Sequence, residues 1–358
     1  MLTLLATEPT TLQVVWYCLI AVLWIGFLVL EGYDYGVAML LPFLGKNEKE
    51  RRVIVNTIGP LWDGNEVWLL TAGGAMFAAF PGWYATLFSG LYLPLFLILV
   101  GLIIRGVSFE YRAKHPDARW RNAFDWMACI GSFIVSLVFG VGFANFIIGM
   151  PVALAEGSNH LHVFTGGFWS LFSPFALLGG VVMVALFLFH GANFITLKTR
   201  DTVHERAKAF AQKEGLAAIV LGAAYLIWAN VAFGIGALGW ALAAVAAVAL
   251  VAAWVAIRAD RDGWAFASTT VTILLVAVWI FIRMWPNLGF INSGTGIPLD
   301  RVTAASTELT LSIMTGAAVV FVPIVLAYQG WSVWVFRKRI STKNIPDDVA
   351  TIPVSASA

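Results

Sequence analysis

Apolar residues run through this chain in long unbroken stretches, separated by short polar connections. Nine stretches approach the length of about 20 residues that a helix needs to cross a hydrocarbon core roughly 30 Å thick. They cover residues 13–44, 56–80, 84–104, 122–148, 168–197, 209–231, 236–257, 264–282 and 306–336. None alternates with a period of two, which argues against a membrane barrel. The pattern predicts an all-α polytopic membrane protein with nine transmembrane helices.

Composition agrees. The 358 residues are 60% hydrophobic and 12% charged, against about 25% charged in a soluble domain. The basic residues then set an orientation. Lys46, Lys49, Arg51 and Arg52 follow the first stretch, and Arg105, Arg112, Lys114, Arg119 and Arg121 follow the third. Lys198, Arg200, Arg206, Lys208 and Lys213 follow the fifth, Arg258 and Arg261 the seventh, and Arg337, Lys338, Arg339 and Lys343 the ninth. Only Arg283 and Arg301 fall on the other side. The positive-inside rule therefore places the N-terminus outside and the C-terminus in the cytoplasm. The net charge of +2 is explained by this topology and is no nucleic-acid footprint.

Met1–Thr11 carries no basic residue, so no cleaved signal peptide is expected. Cys18 and Cys129 fall at opposite depths and suggest neither a disulfide nor a metal site. The tail 341–358 is polar and Pro-punctuated and reads as disordered.

A weak repeat organises the spans. Glu31-Gly32-Tyr33-Asp34 near the end of the first recurs as His190-Gly191-Ala192-Asn193 near the end of the fifth, each before a basic loop. Four spans separate the copies, so both point the same way. The expected architecture is two pseudo-repeated four-helix bundles, 13–148 and 168–282, with a peripheral ninth helix at 306–340.

The costly feature is a set of acids inside the spans. A carboxylate at mid-membrane costs roughly 3 kcal/mol even on the lenient insertion scale. Glu31 and Asp34 share a face of the first helix, and Asp63 and Glu66 share a face of the second. A short loop makes these helices antiparallel neighbours, so the four acids are expected in one seam opening toward the cytoplasm. Gly32, Gly36, Gly59 and Gly64 would allow close approach, and Pro60 would loosen the backbone. The seam reads either as a proton path, since buried carboxylates take and release protons, or as a structural knot in which the acids pair with Asn56, Asn65 or Arg105.

His190 is the one histidine well inside a span, against His115, His160, His162 and His204 in loops. A single such histidine reads as a bonded core residue more readily than as a haem ligand. Trp16, Trp83, Trp169, Trp331 and Trp334 fit an interfacial belt, whereas Trp62 and Trp68 are expected to pack on a neighbour. Asp125 and Glu308 fall in first turns, where the helix dipole favours an acid. No phosphate-binding Gly-rich loop, Cys-based metal motif or nucleophile elbow appears.

Around the acids the sequence resembles a known family. Glu31-Gly32-Tyr33-Asp34-Tyr35-Gly36 is similar to its (D/E)G(F/Y)D-x-G motif, and Asn56 to Leu69 with Thr71 to Pro81 to its NTIGPxWDGNxVWLxTAGGAxFAAxP signature. Arg105 to Asn122 resembles its Arg-rich loop, and Leu309 to Ala327 its LTLxxMTxxAxxxxPIxLxY segment. The family is subunit II of the cytochrome bd-type quinol oxidases, and the likeness covers about residues 13–340.

The resemblance implies a haem-free partner of subunit I, which carries two b-type haems and haem d. The complex oxidises quinol near the outer face of the bacterial cytoplasmic membrane and reduces dioxygen with cytoplasmic protons. Asp63 matches the entrance of a proton path, Trp68 a position beside a lateral dioxygen route, and Glu31, Asp34 and Arg105 motif positions. Glu66 would extend the path, and Trp62, Asn65 and Arg105 would support it. A bound quinone or lipid and small accessory subunits are further expectations. The alternatives are a proton- or cation-coupled transporter built on two repeats, and a purely structural partner of subunit I.

Overall fold

The computed structural model describes residues 8–158, 161–293 and 296–346. The helix α1 (Thr11–Leu44) opens on a capping box in which Thr10 and Gln13 satisfy each other's backbone amides. The helix α2 (Glu48–Ile58) is short and amphipathic. A turn at Gly59-Pro60 then separates it from α3 (Trp62–Ala79). The helices α4 (Pro81–Gly90) and α5 (Tyr92–Tyr111) follow, broken at Leu91. Then come α6 (Ala118–Ile148) and α7 (Pro174–Lys198), the latter started by the Ser173 cap and Pro174. The chain continues through α8 (Asp201–Phe233), α9 (Ala237–Arg258), α10 (Asp262–Met284) and α11 (Glu308–Val335).

Eight of these helices are long and apolar enough to cross a membrane, namely α1 and α5 through α11. The chain is an integral membrane protein. The second expected span, 56–80, is not among them. Its Pro60 turn and the polar start of α3 leave an 18-residue helix that is too polar to qualify. The third, expected at 84–104, starts instead at Tyr92 and runs past Arg105, so Arg105 lies inside a helix rather than in a loop.

The prediction of helices alone also missed a small sheet. The strands β1 (Met150–Leu154), β2 (His162–Phe164) and β3 (Phe290–Asn292) pair in the order β2-β1-β3. β2 is antiparallel to β1, and β3 is parallel to it with Met150 opposite Phe290. The segments after α6 and after α10 supply these strands, so the sheet closes one end of the molecule. The opposite end gathers the basic connections, tied by Arg51–Asp125 at 2.9 Å, Arg206–Glu50 at 2.5 Å and Arg339–Asp262 at 2.7 Å. Asp125 is therefore a buried ion-pair partner of Arg51 and Arg112 rather than a dipole-facing acid.

The start of the tail is ordered, contrary to expectation. Ile340 bridges to Thr199, Ser341 caps a turn with Asn344, and Ile345 is buried. The tail from 347, and His160, lie outside the described residues. Trp16 and Trp83 are buried in the core, whereas Trp169, Trp331 and Trp334 are exposed, as an interfacial belt requires.

α1 sits at the centre, against α3, α6, α7 and α10. α5 lies on α6, α6 on α7, α7 on α8, and α9 on both α8 and α10. α11 lies against α1 and α3 and leaves most of its side chains exposed. The crossing of α1 and α7 is set by two glycines from the repeated motif region. A Cβ at Gly36 would lie 2.0 Å from the Phe187 carbonyl oxygen and 2.9 Å from the Gly191 Cα. By contrast, a Cβ at Gly64 would meet nothing within 4 Å, so that glycine is not required for close approach.

Two outcomes follow from this packing. Gly36→Val must push α1 and α7 apart, and overpacking of this kind costs roughly 1–3 kcal/mol. A lowered thermal unfolding temperature with reduced membrane yield is expected. An unchanged melting curve would disprove the close contact. At the basic end, burial alone would raise the Glu50 carboxyl, but hydrogen bonds from Arg206 and the Lys46 amide, with the Arg206 charge, hold it below its usual range. The link from α2 to α8 thus adds stability above the unfolded carboxyl value of about 4.3 and loses it as pH falls through the lower folded value. Acid melting curves should show that loss in the wild type and less of it in Glu50→Gln.

Candidate functional site

Three helices meet at Arg105. The residue lies in α5 with its side chain fully buried, although α5 and α3 are not closely packed along their backbones. Its Nη2 is 3.0 Å from Glu31 Oε2 on α1, and its Nη1 is 3.5 Å from Glu66 Oε2 on α3. The guanidinium also faces the rings of Tyr35 at 4.7 Å, Phe109 at 5.4 Å and Trp62 at 5.5 Å. Aromatic faces attract a desolvated cation and leave it weakly hydrated.

Asp34 sits one turn from Glu31 and is equally buried. Asn65 on α3 donates from Nδ2 to Asp34 Oδ2 and to the Tyr33 hydroxyl, both at 2.7 Å. The peripheral α11 joins through Gln329, whose Nε2 donates to Asn65 Oδ1 at 2.8 Å. Gln329 carried no motif signal that singled it out, because a glutamine in an apolar helix acquires meaning only from what it faces.

Three of the four expected acids therefore converge. Glu31, Asp34 and Glu66 surround a single arginine, which leaves two negative charges uncompensated when all three are ionised. Such an excess in low dielectric is costly, and proton binding relieves it. Asp34 Oδ1 and Arg105 Nε are buried without a hydrogen-bond partner. Buried polar atoms of this kind are the ones that internal water bridges.

The fourth acid, Asp63, stands apart. It occupies the first turn of α3, at the basic end, and is exposed. Asn56 is exposed too and joins none of these contacts. Trp62 packs on Phe109 with ring centroids 5.3 Å apart, and Trp68 is wedged against Gly26 of α1, where a Cβ would come within 2.2 Å of its ring.

His190 lies in the second half with both ring nitrogens engaged. Nδ1 is 2.6 Å from Thr269 Oγ1 and Nε2 is 3.1 Å from the Val29 carbonyl, and the ring stacks on Phe266. Asn193, the counterpart of Asp34 in the repeat, is buried with neither amide atom bonded. The two similar sequence stretches thus share a pattern but not a chemistry.

Comparison with known proteins identifies the family. The family model for cytochrome bd terminal oxidase subunit II matches residues 12–336. The chain belongs to that family. A cytochrome bd ubiquinol oxidase subunit 2 from Bacillus subtilis is 40% identical over 340 residues, covering 93% of this chain and 98% of the relative. The cytochrome bd-I ubiquinol oxidase subunit 2 of Escherichia coli K12 is 38% identical over 370 residues, covering 93% and 96%. A solved bd oxidase structure from Geobacillus thermodenitrificans superimposes with a TM-score of 0.72 over 91% of this chain and 99% of that one. At 16% identity, that likeness speaks for the fold. In this member of the cytochrome bd oxidase subunit II family, the cluster brings Glu31, Asp34 and Arg105 together as fully buried charged residues.

The ion-pair account has a direct test. Removing one partner of a buried ion pair costs about 3–5 kcal/mol. Arg105→Met should lose stability on that scale in a thermal unfolding assay, and Arg105→Met with Glu31→Gln should recover part of it. A double variant no more stable than the single one would count against the pairing.

Proposed function

We propose that this chain is the haem-free subunit II of a cytochrome bd-type terminal quinol oxidase, the complex that oxidises quinol and reduces dioxygen to water. Family membership over nearly the whole chain supports this reading. In it the chain lies in the bacterial cytoplasmic membrane with α3 as a ninth crossing, its N-terminus outside and its basic end in the cytoplasm. In this reading α1, α3, α5 and α6 form one four-helix bundle and α7 to α10 the other, with α11 peripheral. Subunit I carries the haems. His190, with both nitrogens bonded within the chain, is suited to a packing role rather than to ligation.

The observation that carries the proton role is the graded burial of the acids. Asp63 is exposed at the basic end, and Glu66, one turn further along α3, has a side chain 22% exposed. Glu31 and Asp34 are fully enclosed. A proton entering at Asp63 would pass to Glu66 and then to the Glu31–Asp34 pair, with Arg105 balancing the charge of whichever acid is ionised. Trp62 and Asn65 hold this geometry. Trp68, at the contact of α1 with α3, stands beside a lateral dioxygen route. Apolar space between α7, α8, α9 and α10, lined by Val182, Leu186, Tyr225, Leu250 and Val276, would take part of a quinone or lipid chain.

The second reading, a purely structural partner, draws on the same ion pairs, which bind three helices whether or not protons move. An independent transporter finds no support among the relatives. Asp63→Asn separates the first two. On the proton-path reading, quinol-driven oxygen consumption falls by about tenfold or more while the reduced-minus-oxidised haem spectrum of the purified complex stays normal; proton transfer by a positioned group contributes factors of about 10²–10⁴. Full turnover in Asp63→Asn, Glu66→Gln and Asp34→Asn alike would leave only the structural role.

A further inference from the structure

Asp34 relies on a neutral side chain for its hydrogen bond. Glu31 and Glu66 hold Arg105 directly, whereas Asp34 makes no ion pair among the described residues and its Oδ1 is buried without a partner. Its Oδ2 accepts from Asn65 Nδ2, which also donates to the Tyr33 hydroxyl. Tyr33 is itself stacked on Phe194 with ring centroids 4.0 Å apart. Asn65 is fully buried, and its remaining polar atom, Oδ1, accepts from Gln329 Nε2 at 2.8 Å. Gln329 faces inward from a stretch of α11 in which every other residue from Phe321 to Trp331 is exposed.

A carboxamide has a direction, because its nitrogen only donates and its oxygen only accepts. With Gln329 donating to Oδ1, Asn65 must present Nδ2 to Asp34, which is the end that a carboxylate needs. A protonated Asp34 that donates to Asn65 needs the opposite end. A half-turn of the Asn65 amide supplies it and lets Oδ1 accept from the Tyr33 hydroxyl as well. That turn sends Nδ2 toward Gln329, so the partner there must be able to accept. Glutamine can, by the same half-turn of its own amide. An apolar side chain at 329 would leave one polar atom of the buried Asn65 bare in either orientation, which is costly. The plainer role for Gln329 is a tie between α11 and α3. Such bonds between membrane helices are individually weak, and α11 is already anchored at both ends. Trp16 Nε1 donates to the Leu311 carbonyl and to Thr315, and Lys198 donates to the Phe336 carbonyl.

We propose that Gln329 is a positioning residue for proton transfer at Asp34. It orients the Asn65 carboxamide to donate while Asp34 is ionised, and the two amides turn together to accept when Asp34 carries a proton. On the proton-path reading, which this role requires, the proton comes by way of Glu66, and neither amide gains or loses one. Gln329 acts through Asn65 alone.

Infrared difference spectra between two pH values, recorded on the membrane complex purified through this chain, test the role. The carboxyl band of Asp34 is the one that Asp34→Asn removes. That band should move in Gln329→Leu, and by a similar amount in Gln329→Met, since the two side chains differ in shape but share the lost hydrogen bonds. Quinol-driven oxygen consumption should fall about fivefold in both, which corresponds to one hydrogen bond of ~1 kcal/mol, while the haem spectrum stays unchanged. A band that stays in place in both variants would overturn the role whatever their turnover, because a mere tie lowers stability without touching Asp34. So would the absence of any carboxyl band that Asp34→Asn removes. A moved band with wild-type turnover, in a complex that Asp63→Asn slows, would show that Gln329 positions nothing the reaction uses. Full turnover in Asp63→Asn would remove the proton path itself and the role with it, and that variant tells the two failures apart.

Discussion

A guanidinium buried in a membrane-spanning helix cannot stand alone, and much of the first half of this protein is arranged around that constraint. Arg105 is fully buried, so its charge must be met by carboxylates from other elements. Glu31 on α1 and Glu66 on α3 supply them, with Tyr35, Trp62 and Phe109 enclosing the cation. α3 is short and polar at its start, and it reaches α5 through side chains more than through backbone contact. The ion pairs therefore do for α3 and α5 what close apolar packing does for α1 and α7. The same arrangement leaves an excess of negative charge, which is what makes the cluster a candidate for proton traffic.

The similar stretches of α1 and α7 carry different residues where the two helices meet. Where α1 carries Glu31 and Asp34, α7 carries His190 and Asn193, and Gly36 and Gly191 meet between them. His190 spends both nitrogens on local bonds, so the second half holds no charge in its core at that level. The acid–arginine cluster draws its charged residues from α1, α3 and α5. The ends of the molecule differ just as sharply. One is a lattice of ion pairs through Arg51, Arg112, Arg206 and Arg339, and the other is a small sheet with two arginines that form no ion pair among the described residues.

Much of this was legible in the residues alone. Long apolar runs report membrane helices because lipid leaves the backbone no other way to satisfy its hydrogen bonds. Most span limits came within a few residues for that reason. The errors fall where a local polar or turn signal competed with the run. Gly59-Pro60 cut the second segment, Leu91 broke the third, and Arg105 looked like a loop residue because a charge ordinarily ends a span. Asp125 looked like a helix-dipole acid because its partners, Arg51 and Arg112, come from other connections. The three short strands had too few residues to show a period.

Sequence by itself determined that the chain is a bundle of membrane helices, that its cations lie at one end, and that four acids in the first two spans needed an explanation. These follow from costs that each residue pays individually, in transfer to lipid or in placement against the membrane's charge asymmetry. Tertiary structure alone decided which acids share Arg105, that Asp63 stands outside their cluster, that Gln329 reaches in from the last helix, and that Arg283 has no ion-pair partner among the described residues. Those outcomes depend on which helix faces which, and buried charges are settled by the neighbours that packing brings within a few ångströms.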